Sequence, residues 1–345
     1  MPNDILTRAI DELCDGTHLT ADHTSAALAE IMEGRAEQVQ IAAFLIALRA
    51  KGETVPELEG LARTMRGLAA HVNVDGDDLV DTAGTGGGPT TFNISTTAAL
   101  IAAGAGCRVA KHGNRSATSK SGSADLLEAL GVRIELTPEQ VAECINEVGI
   151  GFMFAPKHHQ ATKEVVPVRK ALAVRTIFNL LGPLTNPAGA KRQLLGVSDR
   201  SFQETVAEAL LGLGCEHAMV VSGDDGLDEL STAARTRVIE VADGGTEEWF
   251  VEAEELGLQP ASLDEIRGGE PEENAAVLRK IFDGGSGPAR DIAVLNAGAT
   301  IFVAGHADDL AAGVEKAGEA LASGAAGDVL ENLVARSRDL AGAAS

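Results

Sequence analysis

A short apolar run, Leu79-Val80-Asp81-Thr82-Ala83, ends directly in Gly84-Thr85-Gly86-Gly87-Gly88-Pro89, and a helix-like Ala/Ile segment follows over 93–103. A strand that empties into a glycine-rich turn and then a helix opens a βαβ unit, and it commits the chain around it to a parallel sheet. The continuation agrees. Residues 107–110 read as the next strand, 122–130 as a helix, and Val132-Arg133-Ile134-Glu135-Leu136 as a third strand. Thr137-Pro138-Glu139-Gln140 then has the form of a capping box with Pro in the first helical turn. Further strands are expected at 218–221 and 236–241, helices at 290–305 and 308–323, and a frayed end at 341–345.

Upstream the period is different. Leu28 and Ile31, then Ile41, Phe44, Leu45 and Leu48, recur at three- and four-residue spacing, and Thr54-Val55-Pro56-Glu57 caps one more helix. No strand signal precedes residue 78, so residues 1–70 form an all-helical layer. Residues 164–186, with Pro167 and Pro183, interrupt the later α/β rhythm with a segment of similar composition. The fold class is α/β: a small helical part and a larger part built on a mainly parallel central sheet.

Composition excludes several functions. With 28 Lys+Arg against 51 Asp+Glu the formal net charge is −23, a field that repels nucleic-acid backbones. Only nine of those cations are Lys, and a dispersed acidic surface of this kind suits solubility at high salt. Aromatic residues make up 3% with no Tyr, which disfavours an aromatic-cored sandwich. Cys14, Cys107, Cys144 and Cys215 are isolated and without zinc-type spacing, so reduced thiols in a reducing cytosol are expected. The first residues lack a basic segment followed by an apolar run, and apolar stretches such as 41–50 fall far short of the roughly 20 residues of a membrane span. The expectation is a cytoplasmic protein with no membrane and no nucleic-acid partner.

Four segments could carry chemistry. The 84–88 loop lies where backbone N–H groups and a helix dipole bind anions, but it is neither a Walker A motif nor a dinucleotide fingerprint. Asn93-Ile94-Ser95-Thr96 adds polar side chains to the following turn. The run from Lys111-His112-Gly113-Asn114-Arg115-Ser116-Ala117-Thr118 to Ser119-Lys120-Ser121-Gly122-Ser123 concentrates cations and hydroxyls at the end of the next strand. Two such loops at neighbouring strand ends mark a ligand crevice. Asp228-Glu229 can hold Mg²⁺ together with substrate phosphates, while Asp224 and Asp225 read as the solvated pair. Arg169 can pair with a carboxylate, or lie on a helix surface. His158 and His159 have no metal-type partner spacing, and no Gly-x-Ser-x-Gly elbow occurs.

Together with Asn179-Leu180-Leu181-Gly182-Pro183-Leu184-Thr185-Asn186-Pro187, these motifs resemble the anthranilate phosphoribosyltransferases, of the nucleoside-phosphorylase-like phosphoribosyltransferase class, over nearly the whole chain. The resemblance implies transfer of the phosphoribosyl group of phosphoribosyl pyrophosphate to anthranilate, with release of pyrophosphate, in tryptophan biosynthesis. It implies a helical domain of residues 1–70 and 164–190, an α/β domain of residues 71–163 and 191–345, a cleft between them with hinges near 71–78 and 190, and a homodimer joined through the helical domain. Phosphoribosyl pyrophosphate contacts are implied at Gly84, Gly87, Gly88, Thr91, Asn93, Ile94, Ser95 and Thr96 of the first loop. Those of the second are Lys111, His112, Gly113, Asn114, Arg115, Ser119 and Ser123. Gly84, His112, Asn114, Arg169 and Pro183 are implied for anthranilate, and Ser95, Asp228 and Glu229 for Mg²⁺, two ions per site. No single residue is implied as a catalytic base. Gly88-Pro89 departs from the acidic residue usual in the family loop, and His159-Gln160-Ala161-Thr162 departs from a His-Pro-Ala-Met segment. A pyrimidine nucleoside phosphorylase, which shares the loops, and a non-catalytic metabolite-binding paralogue are the alternatives.

Overall fold

The computed structural model describes residues 2–116 and 119–343. Ala117 and Thr118 of the second loop, and Ala344 and Ser345 of the expected frayed end, lie outside the described residues.

Seven strands form one sheet: β1 (Leu79–Gly84), β2 (Arg108–Gly113), β3 (Ile150–Phe154), β4 (Arg192–Gly196), β5 (His217–Gly223), β6 (Thr236–Ala242) and β7 (Gly245–Val251). Their spatial order is β3-β2-β1-β4-β5-β6-β7. The first five run parallel, and β6 and β7 add an antiparallel hairpin at one edge. Strand order reverses at β1, so the crevice beyond the carboxyl ends of β1, β2 and β4 is the expected ligand position of an open α/β sheet.

The expected third strand at 132–136 is not a strand. Its alternation is real, because Val132, Ile134 and Leu136 are all buried, but the segment's backbone bonds to the C-terminal helix Ala325–Ala343 instead of extending the sheet. Arg133 N–H donates to Ser337 Oγ at 3.0 Å, and Arg338 Nε donates to the Gly131 carbonyl at 2.9 Å. The third strand is instead β3, whose five residues, Ile-Gly-Phe-Met-Phe, are all buried, as a parallel strand covered on both faces requires.

Helices Ile94–Gly104, Pro288–Val303 and Leu310–Ala322 pack on a core that includes Val109, Ile150 and Leu194, while helix Pro138–Val148 packs against Gly151 of β3. The N-terminal helices Asp4–Cys14, Ala21–Met32, Gln38–Lys51 and Val55–Gly67 form the expected layer. Glu57 of its capping box accepts from Thr54 N–H, Leu19 N–H and Lys51 Nζ, each at 2.9 Å, and so pins three segments at once. Val165, Val168, Phe178 and Leu181 from the later insertion join this layer. Its core runs on without a break into Leu195, Val220 and Ile239 of the other sheet face and into Val206 and Leu210 of helix Gln203–Gly212. The chain near the first expected hinge is bonded to neighbouring segments: Ala70 N–H donates to the His158 carbonyl at 2.8 Å, and Val72 N–H to the Pro187 carbonyl at 3.1 Å.

Candidate active site

All the residues expected from the sequence to meet ligand line one cleft of about 1090 Å³, at the carboxyl ends of β1, β2 and β4. Gly84, Gly87, Gly88, Thr91, Asn93, Ile94, Ser95 and Thr96 come from the first loop and the start of helix Ile94–Gly104. Lys111, His112, Gly113, Asn114, Arg115, Ser119 and Ser123 come from β2 and the second loop. Arg169 and Pro183 face them from the insertion, and Asp228 and Glu229 lie at the carboxyl side of β5. A cleft of this size lies at the upper end of small-molecule sites and has room for two ligands.

Glycine is required at two points of the first loop. A Cβ on Gly84 would collide with the Asp228 carboxylate, and Gly87 sits at φ +93°. Gly86 N–H donates to Asp228 Oδ2 at 2.7 Å. Arg175, which nothing in the sequence singles out, reaches from the insertion to the same loop. Its Nη1 donates to the Gly86 carbonyl at 2.8 Å and its Nη2 to the Thr85 carbonyl at 3.3 Å, while Arg49 holds the Arg175 carbonyl at 2.8 Å.

Beneath the loops lies a charged network. Lys111, 2% exposed, donates through Nζ to the Thr82 carbonyl at 2.6 Å and lies 3.4 Å from Ser95 Oγ. Asp81, fully buried, accepts from His112 N–H at 3.2 Å and from Asn186 Nδ2 at 2.7 Å. Burial lowers the affinity of Lys111 for its proton, against the opposing pull of Asp81 and Glu229, and burial raises the carboxyl of Asp81. Burial, then the neighbouring Asp228, pushes the Glu229 carboxyl up to about 8, and burial also raises Asp228.

Asp228 and Glu229 therefore fit a divalent cation. Two adjacent carboxylates face the cleft with less positive charge around them than their ionised forms need, and no group of three or more His, Cys, Asp or Glu that could hold a metal ion occurs among the described residues. A pair of this kind suits Mg²⁺, which is held by one or two carboxylates with substrate phosphates and water. Asn296, fully buried in helix Pro288–Val303, anchors the residue that follows this pair: its side chain bonds both the N–H and the carbonyl of Leu230, each at 2.9 Å. Asp224 and Asp225 are engaged elsewhere, Asp224 by Arg200 at 2.6 Å and Asp225 by Ser231 Oγ at 2.6 Å.

On the opposite wall, Arg169 stacks over the Phe178 ring at 5.3 Å and has no ion pair among the described residues, and burial lowers its pKa. His112 and His159 lie against one another with ring centroids 5.1 Å apart. Burial brings them down to about 3 and about 4, so both rings are neutral at pH 7. Arg115 is already committed to Asp125 at 2.8 Å and to Glu128 at 2.5 Å.

The family model for the glycosyl transferase family a/b domain matches residues 76–327, and that for the family's helical bundle domain matches residues 7–69. The anthranilate phosphoribosyltransferase of Methylobacillus flagellatus is 51% identical over 96% of this chain and 97% of its own length. The chain belongs to the anthranilate phosphoribosyltransferase family. Among these enzymes, that of Rubrobacter xylanophilus is also 51% identical, over 98% of this chain and 99% of its own. The anthranilate phosphoribosyltransferase of Thermus thermophilus superposes with a TM-score of 0.91 at 45% identity, covering 96% of this chain and 99% of that one. The Saccharomyces cerevisiae enzyme, solved in complex with PRPP and Mg, gives a TM-score of 0.88 at 26% identity, covering 97% and 98%.

Proposed function

We propose that this chain transfers the phosphoribosyl group of phosphoribosyl pyrophosphate to anthranilate, giving N-(5-phosphoribosyl)anthranilate and pyrophosphate, a step of tryptophan biosynthesis. The observation that carries this reading is the cleft's division of labour. Two loops rich in N–H and hydroxyl donors and a carboxylate pair line the cleft, and Arg169, a guanidinium with no ion pair among the described residues, lines it from the insertion. In the transfer the anthranilate nitrogen bonds to the ribose C1 as the C1–oxygen bond to pyrophosphate breaks, and the nitrogen then gives up its proton. An aromatic amine is neutral at pH 7, so no base is needed before attack, and His112 and His159, brought down to about 3 and about 4, are weak bases. Loop N–H groups and the N-terminus of helix Ile94–Gly104 favour the charge growing on the leaving group, and Arg169 orients anthranilate through its carboxylate. Asp228, Glu229 and Ser95 would hold Mg²⁺, two ions per site, and bound Mg²⁺ supplies neutralisation of the pyrophosphate charge.

The reading extends to a homodimer joined through the helical domain of residues 1–70 and 164–190. Val39 is 75% exposed and Ile46, on the same face of helix Gln38–Lys51, is 38% exposed, a surface that a second copy would cover. No helix among the described residues is long and apolar enough to cross a membrane, and we place the protein in the cytoplasm.

The test is the fall of anthranilate fluorescence on mixing the protein with phosphoribosyl pyrophosphate and Mg²⁺, with uridine and thymidine phosphorolysis run alongside. A fall that depends on phosphoribosyl pyrophosphate supports the reading. Phosphorolysis without that fall makes the chain a nucleoside phosphorylase, and inactivity in both assays by folded protein makes it a metabolite binder.

A further inference from the structure

We propose that Asn274 is a positioning residue that sets the two phosphate-side loops against one another through the side chain of Asn93. The sheet leaves that task open. β1 and β2 are in register only at Leu79↔Arg108 and Val80↔Val109, so the pairing ends well before Gly84 and Gly113, where the loops begin. Side chains must span the gap instead.

Asn93 does so. Its Nδ2 donates to the Ser121 carbonyl at 3.0 Å, and its Oδ1 accepts from Ser121 Oγ at 3.0 Å, joining the first loop to the second. Asn274, 2% exposed on helix Pro271–Phe282, closes the arrangement from behind. Gly269 N–H donates to Asn274 Oδ1 at 2.8 Å, which leaves Asn274 Nδ2 to donate to Asn93 Oδ1 at 2.9 Å. With two donors on its oxygen, the Asn93 amide has one orientation open to it. The segment just before Asn274 also grips the first loop. Phe92 N–H donates to the Ile266 carbonyl at 3.2 Å, Thr91 forms a bridge with Arg267, and a side chain on Gly268 would collide with the Thr91 backbone. Asn274 itself does not line the cleft. It acts on the ligand only by fixing where Asn93, Ser121 and the N–H groups beside them stand, and a buried amide bond of this kind is costly to leave half made.

The inference rests on the reading that these loops bind phosphoribosyl pyrophosphate. Its test compares Asn274→Ala, Asn274→Asp, Asn93→Ala and the Asn93→Ala/Asn274→Ala double variant. Asn274→Asp keeps the acceptor for Gly269 N–H but turns an oxygen toward Asn93 Oδ1, so it breaks the contact with little loss of packing. Kinetics give KM for each substrate, calorimetry gives binding of phosphoribosyl pyrophosphate with Mg²⁺ in the absence of anthranilate, and thermal melting reports the fold. Both Asn274 variants should bind phosphoribosyl pyrophosphate about tenfold more weakly, roughly one hydrogen bond's worth. The anthranilate KM should stay within about twofold, and the double variant should be no weaker than Asn93→Ala alone. Unchanged binding in Asn274→Asp, an equal loss for both substrates, or losses that multiply in the double variant would overturn the inference while the reaction stands. A wild-type chain that neither binds phosphoribosyl pyrophosphate nor turns it over would overturn the reaction, and this inference with it.

Discussion

The backbone N–H of Gly86 donates to Oδ2 of Asp228 at 2.7 Å, joining positions 142 residues apart. One hydrogen cannot serve a pyrophosphate oxygen and Asp228 together, so donor binding competes with this bond unless a cation draws the carboxylate away. Asp228→Asn keeps an acceptor for Gly86 and removes the charge. The Mg²⁺ concentration for half-maximal rate should rise at least about tenfold, and melting without Mg²⁺ should stay level or improve, since burial disfavours the ionised carboxylate. An unchanged Mg²⁺ requirement takes Asp228 out of the metal site.

Arg169 faces the cleft with an aromatic ring beneath it and no anion beside it among the described residues. Arg169→Ala should raise the anthranilate KM by about a hundredfold, about 2.7 kcal/mol, as expected for a lost charged pair. Phosphoribosyl pyrophosphate affinity should barely move. Steady-state kinetics with each substrate varied in turn decide it, and equal losses would count against the assignment.

Arg175 ties the insertion to the glycine-rich loop through the Thr85 and Gly86 carbonyls. Arg175→Ala should speed amide hydrogen exchange across residues 84–90 and weaken phosphoribosyl pyrophosphate binding several-fold, with exchange in the sheet unchanged. Exchange in the loop that matches the wild type would show that the contact does not restrain it.

His112, His158 and His159 are all buried with depressed affinity for protons, His112 to about 3 and His159 to about 4. Their unfolded values lie near 6.5, so the unfolded chain takes up protons first as the pH falls. The stability that comes from keeping them neutral is fully present above pH 6.5 and is lost between there and about 4 to 3, by up to about 1.4 kcal/mol per unit for each ring. Glu229, raised to about 8, and the raised carboxyls of Asp81 and Asp228 work the other way over the same range, so the rings are read by difference: in chemical denaturation from pH 7.5 to 4.5, His112→Gln should lose less stability than the wild type. Parallel profiles would mean that His112 protonates in the folded protein.

Asn296 holds both backbone groups of Leu230, the residue after the carboxylate pair. Asn296→Leu leaves those two groups buried without partners and should cost about 2–6 kcal/mol, at about 1–3 kcal/mol for each. Denaturation measures the loss, and any folded fraction should also need more Mg²⁺.

The first two strands, both loops and the N-terminal helices were legible because each has a local signal: a glycine turn after an apolar run, a capping box, a three-and-four spacing. Residues 132–136 misled because alternation reports a buried side and not what the backbone bonds to, and here it bonds to a helix. β3 is an unbroken apolar run close behind a helix, where periodicity cannot tell strand from helix. The cleft residues could be gathered because they cluster in motifs. Arg175, Asn274 and Asn296 could not, since each works through contacts made 89, 181 and 66 positions away, which no local pattern announces.

The helical layer has no core to call its own: Leu28, Phe44 and Leu61 belong to the same apolar body as Leu195, Val220 and Ile239 of the sheet. The two stretches that the family models match separately thus share one apolar body. Calorimetry should show one melting transition for both, and a fragment cut at the linker should be left with a greasy face and no stable shape.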